Sequence, residues 1–505
     1  MSLRFYNTLS GRVEEFHPLE PPKVRMYTCG LTVYDYAHIG NYRTFVFQDI
    51  LRRHLKYRGY ELLHVMNLTD VDDKTIRNSQ AAGTSLRDYT DKYIKAFEVD
   101  AQLLNLEAPE IVVRATDHIA AMVKLIETLE AKGFAYRSEG SIYFRVSQFR
   151  DYGKLSKLDL EGMRAGARVD SDEYDKANVR DFVLWKAAKE GEPSWETPLG
   201  RGRPGWHIEC SAMSMKYLGE TFDIHSGGSD LIFPHHENEI AQSEAATGKP
   251  FVRYWLHAEH LIVNGEKMSK SLGNFFTLRD LVAKGYKPAA IRYLLASVPF
   301  RKPLNFTFDG LHQAQQSIER LRNLRYRLTM EKFPAGESSV LQDRARTAVR
   351  EFEEALDDNL NTAEALAAIF NLVRDANIAM DHGEFRDGDR PVFLDALDRW
   401  DRIFAVLEDN DQAKLTKLGF IKPLAKTAGD LIPRQDEAKA AQGDGYTSAV
   451  LTEALGEAEI ETRIAERNAA RRRGDFASAD KIRSDLLAAG VILEDTKSGT
   501  RWKRK

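Results

Sequence analysis

Within its first seventy residues the chain alternates elements in a way that leaves few folds open. Val24–Thr28 and Glu61–Asn67 are short apolar runs suited to strands, and Thr44–Tyr57 between them carries apolar positions at helical spacing. Strand, helix and strand in that order predict a βαβ unit, and hence a parallel, doubly wound, Rossmann-like α/β sheet. No GxGxxG follows the first strand, so a dinucleotide-binding reading is not supported. The strand instead runs into Cys29-Gly30 and then His38-Ile39-Gly40-Asn41 at the start of the helix. Gly40 permits close approach of a ligand to the backbone, and a helix N-terminus favours phosphate oxygens. Taken alone, the same four residues would also suit a turn histidine beside a helix start.

Residues 115–200 look like an insertion between the halves of this sheet. They contain a helical stretch, a hairpin pattern over Phe134–Val146 with Glu139-Gly140 at its tip, and a charged segment ending in Phe182–Lys186. Phe222–His225 and Phe251–Val263 then resume the strand pattern. A turn signal at Asn264-Gly265-Glu266 leads into Lys267-Met268-Ser269-Lys270-Ser271. Two lysines and two hydroxyls, with Gly273 soon after, suit a loop that grips a triphosphate, although a solvated basic loop reads the same way in isolation. Asp309–Leu407 is helical in spacing, with a capping box at Asn361–Glu364, and predicts an antiparallel bundle. The expected domain plan is a catalytic domain in two halves, 1–114 and 201–263, split by the connective insertion 115–200. It continues with a loop and stem-contact region, 264–308, a helical bundle, 309–422, a linker, 423–447, and a small mixed α/β unit, 448–505.

The stretch Gly205–Gln242 concentrates ionisable groups beyond what a core needs. It holds Cys210, one of 2 cysteines in 505 residues, followed by His225, Asp230, His235, His236, Glu237 and Glu239. Pro234 before and Gly248 after bound a predicted helix. On it His235 and Glu239 are four apart and share a face, so they can grip one ion together. Cys210 would reach that ion from a helical segment starting near Trp206, and Cys29 is the distant fourth candidate. Two thiolates, an imidazole and a carboxylate form a donor set that Zn²⁺ accepts. The cysteines lack CxxC spacing, so two small buried hydrophobes remain the alternative. A disulfide fits less well, because nothing else in the chain looks secreted.

Composition adds bounds. With 43% hydrophobic and 29% charged residues the chain is an ordinary globular protein, and its length predicts about three domains. The residues MSLRFYNTLSGRVEEF carry neither a signal nor a transit pattern, and no apolar run is long enough to span a bilayer, which points to the cytoplasm. Residues 461–505 carry 12 Lys/Arg against 7 Asp/Glu, so this end is +5 and the remainder −9 within a net charge of −4. A polyanion partner at that end, or simply a solvated charged helix, accounts for the asymmetry.

HIGN and KMSKS, about 230 residues apart and separated by a sheet and an insertion, together resemble the two signature motifs of class I aminoacyl-tRNA synthetases. YTCGLTVYDYAHIGN, NLTDVDD, RPGWHIECSAM, HSGGSDLIFPHHENEIAQSE and EKMSKSLGNFF narrow the resemblance to the cysteinyl-tRNA synthetase family. The likeness extends through LDDNLNTAEAL to the final ILED and GTRWKRK. One departure stands out: Asn41 occupies the place of the class motif's second histidine. Asparagine still donates a hydrogen bond to a phosphate or ribose oxygen but carries no charge, so some phosphate stabilisation shifts to the KMSKS lysines.

The resemblance implies an ATP-dependent, AMP-forming ligase that activates L-cysteine and passes it to the 3′ adenosine of tRNA(Cys). It implies one Zn²⁺ held by Cys29, Cys210, His235 and Glu239, and ATP as substrate with Mg²⁺. A shaped pocket separates serine or alanine from cysteine by only about 10–200-fold. A Zn–S bond of about 2.3 Å makes the distinction by chemistry instead. Four protein ligands normally close a zinc site, so a substrate thiolate needs a fifth position or a lengthened bond, expected at Glu239 because oxygen is the poorest match to zinc.

Other roles follow from the same resemblance. Gly30, Thr69, Trp206 and Asp230 are expected to bind cysteine, with Trp206 closing the pocket and Thr69 and Asp230 at the amino group. His38, Gly40, Asn41, Gly227, Asp230 and Lys270 are expected to bind ATP. His38, Asn41, Lys267 and Lys270 are expected to be catalytic, with His38 and Asn41 facing the triphosphate and the two lysines clamping it and offsetting charge as pyrophosphate leaves. Arg501, Trp502, Lys503 and Arg504 are expected to hold unpaired tRNA bases of the anticodon loop, with a tail that merely caps its own unit as the alternative. A monomer with no membrane association is expected. Two rivals remain at this point: a cysteine ligase acting on a small amino-sugar, which would lack the last unit, and an inactive tRNA-binding relative, which would have no use for two phosphate-gripping loops.

Overall fold

A computed structural model of the protein describes residues 2–157, 181–421, 457–472, 475–488, 491–496 and 499–504. The expected βαβ unit is present as β1 (Lys23–Thr28), α1 (Ile39–Tyr57) and β2 (Glu61–Leu68). With β3 (Ile111–Arg114), β4 (Phe222–Gly228) and β5 (Val252–Ala258) it builds one five-stranded sheet in the order β5-β4-β1-β2-β3. Every neighbouring pair is parallel.

A parallel sheet needs cover on both faces, which is why its strands are apolar almost throughout. Val24 and Met26 of β1 pack with Phe47, Leu51 and Leu55 of α1 on one face. Tyr27, Val65 and Val113 belong to the other. There they share a core with Ile208 and Met213 of α2 (Trp206–Leu218) and Ala241 of α3 (Glu237–Thr247). Strand order reverses between β1 and β4, and in open parallel sheets such a reversal opens a crevice beyond the carboxyl ends of the strands. Cys29 follows directly on β1, and the chain leaving β4 leads to His235 and Glu239.

α1 starts five residues earlier than its apolar spacing predicts. His38 Nδ1 accepts the Asn41 amide at 3.1 Å, while Asn41 Oδ1 accepts the His38 amide at 3.1 Å. This reciprocal box ties off the helix start with a histidine, which lies outside the usual N-cap residues.

In the insertion, Ala135–Ser138, Ser141–Phe144, Phe182–Ala187 and Gly202–Pro204 form a four-stranded antiparallel sheet. This sheet therefore runs past residue 200. Ile119–Ala131, expected to belong to the insertion, instead buries Met122, Ile126 and Leu129 in the core that covers the parallel sheet. The charged segment 158–180 lies outside the described residues, as does the expected linker 423–447.

The bundle comprises Phe308–Met330, Ser339–Asp357, Thr362–Asp381 and Arg390–Phe404. Asn361 accepts the Glu364 amide at 3.4 Å, without the return bond that the expected capping box requires. The bundle's apolar face is continuous with the core over α1. Arg292, fully buried, pins the junction by donating to the carbonyls of Leu104 and Phe404 and to Asp49 of α1.

Residues 1–423 form one unit and 424–505 another. The second contains helices Glu457–Arg472 and Phe476–Ala488 and an antiparallel hairpin of Val491–Thr496 with Gly499–Arg504. Its core gathers Ile460, Ile464, Leu486, Val491 and Leu493. Among the described residues no helix is long and apolar enough to cross a membrane.

Candidate active site

The sheet reversal brings together the four candidate metal ligands. Cys29 Sγ and Cys210 Sγ are 3.9 Å apart, Cys29 Sγ lies 3.9 Å from Glu239 Oε1, and His235 Nε2 lies 3.0 Å from the same oxygen. The ligand atoms of all four lie within 4.8 Å of one another, and all four residues are buried. A tetrahedral zinc with bonds of about 2.3 Å to sulfur requires sulfur–sulfur separations of about 3.8 Å, so the two thiols already stand at the right spacing.

The ionisable groups of this cluster act strongly on one another. Burial alone would raise the Glu239 carboxyl, yet His225 and His235 overcome it and hold Glu239 down to about 2. Burial likewise opposes a charge on His235, but Glu239 and Cys210 raise it to about 10. The Cys29 thiol is pushed well up, first by burial and then by Cys210. Two thiolates and a carboxylate together in a dry interior would need a cation among them.

Around this set stands a layer of imidazoles that local spacing did not single out. His225 Nε2 bonds Glu239 Oε2 at 2.9 Å, and His207 Nδ1 lies 2.9 Å from His235 Nδ1. His236 Nε2 lies 3.3 Å from Cys29 Sγ, while its Nδ1 bonds His257 Nε2 at 2.7 Å. Cys29, His225, His236 and Glu239 make a second possible ligand set. Two thiols rather than one give the first set the softer donors that zinc prefers. Orientation of ligands by partners such as His225 is the usual second layer of a metal site.

Trp206 lies over the cluster, its ring stacked on His235 with centroids 4.2 Å apart. It heads α2 because Gly205 can pass close to Val183, where a Cβ would come 2.2 Å from the Val183 carbonyl oxygen. Helical geometry then puts Trp206, Glu209 and Cys210 on one face. Glu209, not expected from the sequence, accepts a hydrogen bond from the Thr69 hydroxyl at 3.1 Å. Gly30 donates its amide to Asn67 Oδ1 at 3.1 Å, and a Cβ there would lie 1.7 Å from the Asn67 carbonyl oxygen. Gly227 leaves room for His236, whose ring would meet an added Cβ at 2.9 Å.

A second cluster forms where the KMSKS loop returns to α1. The Ile39 amide donates to Phe276 O at 3.0 Å, and Met268 lies against Gly40, 3.3 Å from where a Cβ would sit. Burial keeps the His38 imidazole below its usual pKa, although nearby Asp230 opposes this. With Nδ1 accepting the Asn41 amide, the neutral ring carries its proton on Nε2 and can donate it outward. Asn41 is committed on its Oδ1 side to the helix start. Lys270 Nζ lies 2.6 Å from Asp35 Oδ2, and Lys267 is exposed on the short strand Glu266–Lys267. Asp230 stands near enough to His38 to act on its imidazole.

In the second unit Arg501, Trp502, Lys503 and Arg504 lie on the last strand. Trp502 packs partly buried against the unit's core and donates Nε1 to Glu461 Oε1 at 2.6 Å. Its indole N–H is therefore engaged within its own unit.

Residues 15–316 match the family model for the tRNA synthetases class I (C) catalytic domain, 351–407 that for the DALR domain, and 455–502 that for the cysteinyl-tRNA ligase anticodon binding domain. The cysteine–tRNA ligase of Solibacter usitatus is 57% identical over 505 residues, covering 100% of both chains. That of Koribacter versatilis is 55% identical over 507 residues, again covering 100% of both. A methionyl-tRNA synthetase of Mycobacterium tuberculosis in complex with methionyl-adenylate shares the fold at a TM-score of 0.58 and 16% identity, covering 78% of this chain and 93% of that one.

Proposed function

The chain belongs to the cysteinyl-tRNA synthetase family of class I aminoacyl-tRNA synthetases, and from that premise we propose that its buried Cys29–Cys210–His235–Glu239 cluster is the zinc centre that selects the substrate. The enzyme is a cysteine–tRNA ligase. The cysteine carboxylate attacks the α-phosphorus of ATP, the bond to pyrophosphate breaks, and cysteinyl-adenylate forms. A ribose hydroxyl of the terminal tRNA adenosine then attacks the carbonyl carbon and AMP leaves.

One observation carries the metal assignment: the only two cysteines, 181 residues apart in sequence, meet at 3.9 Å beside a histidine and a glutamate. Zinc held there would supply a soft Lewis acid that prefers a thiolate to the hydroxyl of serine. The protein's part is to exclude water with Trp206, to orient Glu239 through His225, and to hold the Cys29 segment against Thr69. That segment is clamped on both sides, with the Thr69 amide donating to Leu31 O at 3.1 Å and the Val33 amide to Thr69 O at 3.1 Å. Thr69 receives the substrate ammonium, Gly30 passes close beneath the amino acid, and Asp230 acts between the amino group and the ribose.

On the ATP side, His38 donates from Nε2 to a phosphate oxygen, and Gly40 and Gly227 leave the backbone open to the nucleotide. Asn41 contributes mainly by fixing the start of α1, whose N-terminus favours phosphate. Lys270 and Lys267 move onto the β- and γ-phosphates, with Mg²⁺, and offset charge on the departing pyrophosphate. The domain plan read from the sequence serves this division of labour: the bundle 309–422 lies along tRNA, and 448–505, with Arg501, Lys503 and Arg504, reads the anticodon end. The chain acts as a monomer. Its substrates favour the cytoplasm. The anticodon-binding match at 455–502 favours tRNA over an amino-sugar acceptor.

ATP–pyrophosphate exchange with each of the twenty amino acids, together with metal analysis, tests this reading. Cysteine alone should support exchange, at one zinc per chain. Full cysteine selectivity in metal-free protein would overturn the zinc assignment and leave only the ligase.

A further inference from the structure

We infer that Glu209 is a positioning residue for the substrate ammonium, acting by locking the Thr69 hydroxyl as a hydrogen-bond acceptor. The inference rests on the reading of Thr69 above. It starts from a directed chain of hydrogen bonds: Gly30 N to Asn67 Oδ1 at 3.1 Å, Asn67 Nδ2 to Thr69 Oγ1 at 3.2 Å, and Thr69 Oγ1 to Glu209 Oε2 at 3.1 Å. Its polarity is set from the Gly30 end. A backbone amide can only donate, so Asn67 must present its oxygen to Gly30 and its NH₂ to Thr69. With Glu209 Oε2 as the unprotonated carboxyl oxygen, it accepts at the far end and the hydroxyl proton turns toward it.

A hydroxyl has one proton and two lone pairs. With the proton placed on Glu209 and one lone pair filled by Asn67, a single acceptor position is left on Thr69. An ammonium, which has only donors, fits that position. A freely rotating hydroxyl would spend part of its time presenting a proton instead. Glu209 is suited to this task alone: it is 0% exposed, and among the described residues its Oε1 accepts no hydrogen bond. A buried carboxyl with so few partners is a poor structural element. It stands on the α2 face shared with Trp206 and Cys210, next in sequence to the proposed ligand Cys210.

The test uses full-length protein and three thiols in pyrophosphate exchange: cysteine as substrate, with cysteamine, which keeps the amine, and 3-mercaptopropionate, which lacks it, as inhibitors. Glu209→Met removes the acceptor at nearly the same volume. It should raise KM for cysteine and Ki for cysteamine about tenfold, the scale of one hydrogen bond to a charged group, with kcat, Ki for 3-mercaptopropionate and zinc content within about twofold. Glu209→Gln, which can present an oxygen to Thr69, should restore wild-type values. Equal weakening of both inhibitors, or of neither, overturns the role of Glu209. If Glu209→Met does not fold, Glu209→Leu is read by the same criteria. Thr69→Val separates the two levels. No change in its KM for cysteine sinks the reading of Thr69 itself, whereas a raised KM with a silent Glu209→Met sinks only the present inference. In the Thr69→Val background, Glu209→Met should have no further effect.

Discussion

The Lys270 ammonium lies 2.6 Å from the Asp35 carboxylate, joining the KMSKS loop to the segment just ahead of α1. Lys270 is 66% exposed, so this is a surface pair, worth about 0.2–1 kcal/mol. It holds the lysine near the phosphate site without trapping it. Lys270→Ala should therefore cut cysteine-dependent pyrophosphate exchange by more than about 100-fold, as removal of a transition-state contact does, while zinc content stays at wild-type level. Exchange at the normal rate would remove Lys270 from the chemistry. Asp35→Asn, which only frees the lysine, should lower KM for ATP by no more than about fivefold. A large rise instead would mean that Asp35 itself serves the nucleotide.

Zinc binding and folding should be linked at the switch point, because two of the ligands hang on the ends of separate segments. Cys210→Ala is expected to lose the metal and to reduce exchange by more than about 100-fold, with serine no better a substrate than before. Chelation of the wild type should lower Tm, since a ligand bound only to the folded state stabilises it by mass action. A chelated protein of unchanged Tm and metal content near zero would speak against a resident ion.

Gly30 has no room for a side chain, since a Cβ would lie 1.7 Å from the Asn67 carbonyl oxygen. That neighbour is backbone within the strand-end pairing and cannot swing aside. Gly30→Ala should displace Cys29 and cost activity and zinc together, by more than about tenfold in kcat/KM, even if the protein still folds. Near-normal kinetics with normal zinc would show that the segment is looser than the hydrogen bonds indicate.

Acid stability should depend on His64 of β2. Burial, with Arg52 next, holds its imidazole down to about 3, so the folded protein binds fewer protons there than the unfolded chain, whose histidine titrates near its model value of 6.5. A depressed folded pKa means that the contribution is complete above about pH 6.5 and is lost as pH falls toward 3. Between pH 7 and 5 this one group should remove about 2 kcal/mol of stability. His64→Gln, which keeps a partner for the Thr28 hydroxyl now 2.8 Å from His64 Nε2, should flatten that part of the profile in urea titrations. An unchanged slope would assign acid sensitivity to other buried histidines.

Removal of residues 424–505 should leave amino-acid activation largely intact and weaken tRNA charging by more than about 100-fold. The first unit contains the whole candidate site and its own core. Parallel loss of exchange and charging would mean that the second unit is needed for the stability of the first.

What could be read without coordinates was local. The βαβ order, the helix from Trp206, the stop at Gly248 and the insertion's hairpin all follow from periodicity and from turn and cap residues acting over a few positions. The misses share a cause. Apolar spacing begins the first helix only at Thr44 because its first turn is held by the His38–Asn41 box instead, and of the Asn361 box only the bond from the Glu364 amide is made. Glu209 left a trace, three residues after Trp206 and next to Cys210, but only its burial against Thr69 distinguishes it from a charged surface position.

The sequence by itself determined that two cysteines, a histidine and a glutamate were available as donors, and that His235 and Glu239, four positions apart, could reach one ion, although His235 lies in the turn before α3 and not on it. Only the tertiary structure decided that the cysteines meet, that His225, His236 and His257 crowd in behind them, and that Trp206 lies on His235. The physical reason is that helix and strand periods extend over a few residues. The meeting of segments 181 positions apart is set by strand order and register in a sheet covered on both faces.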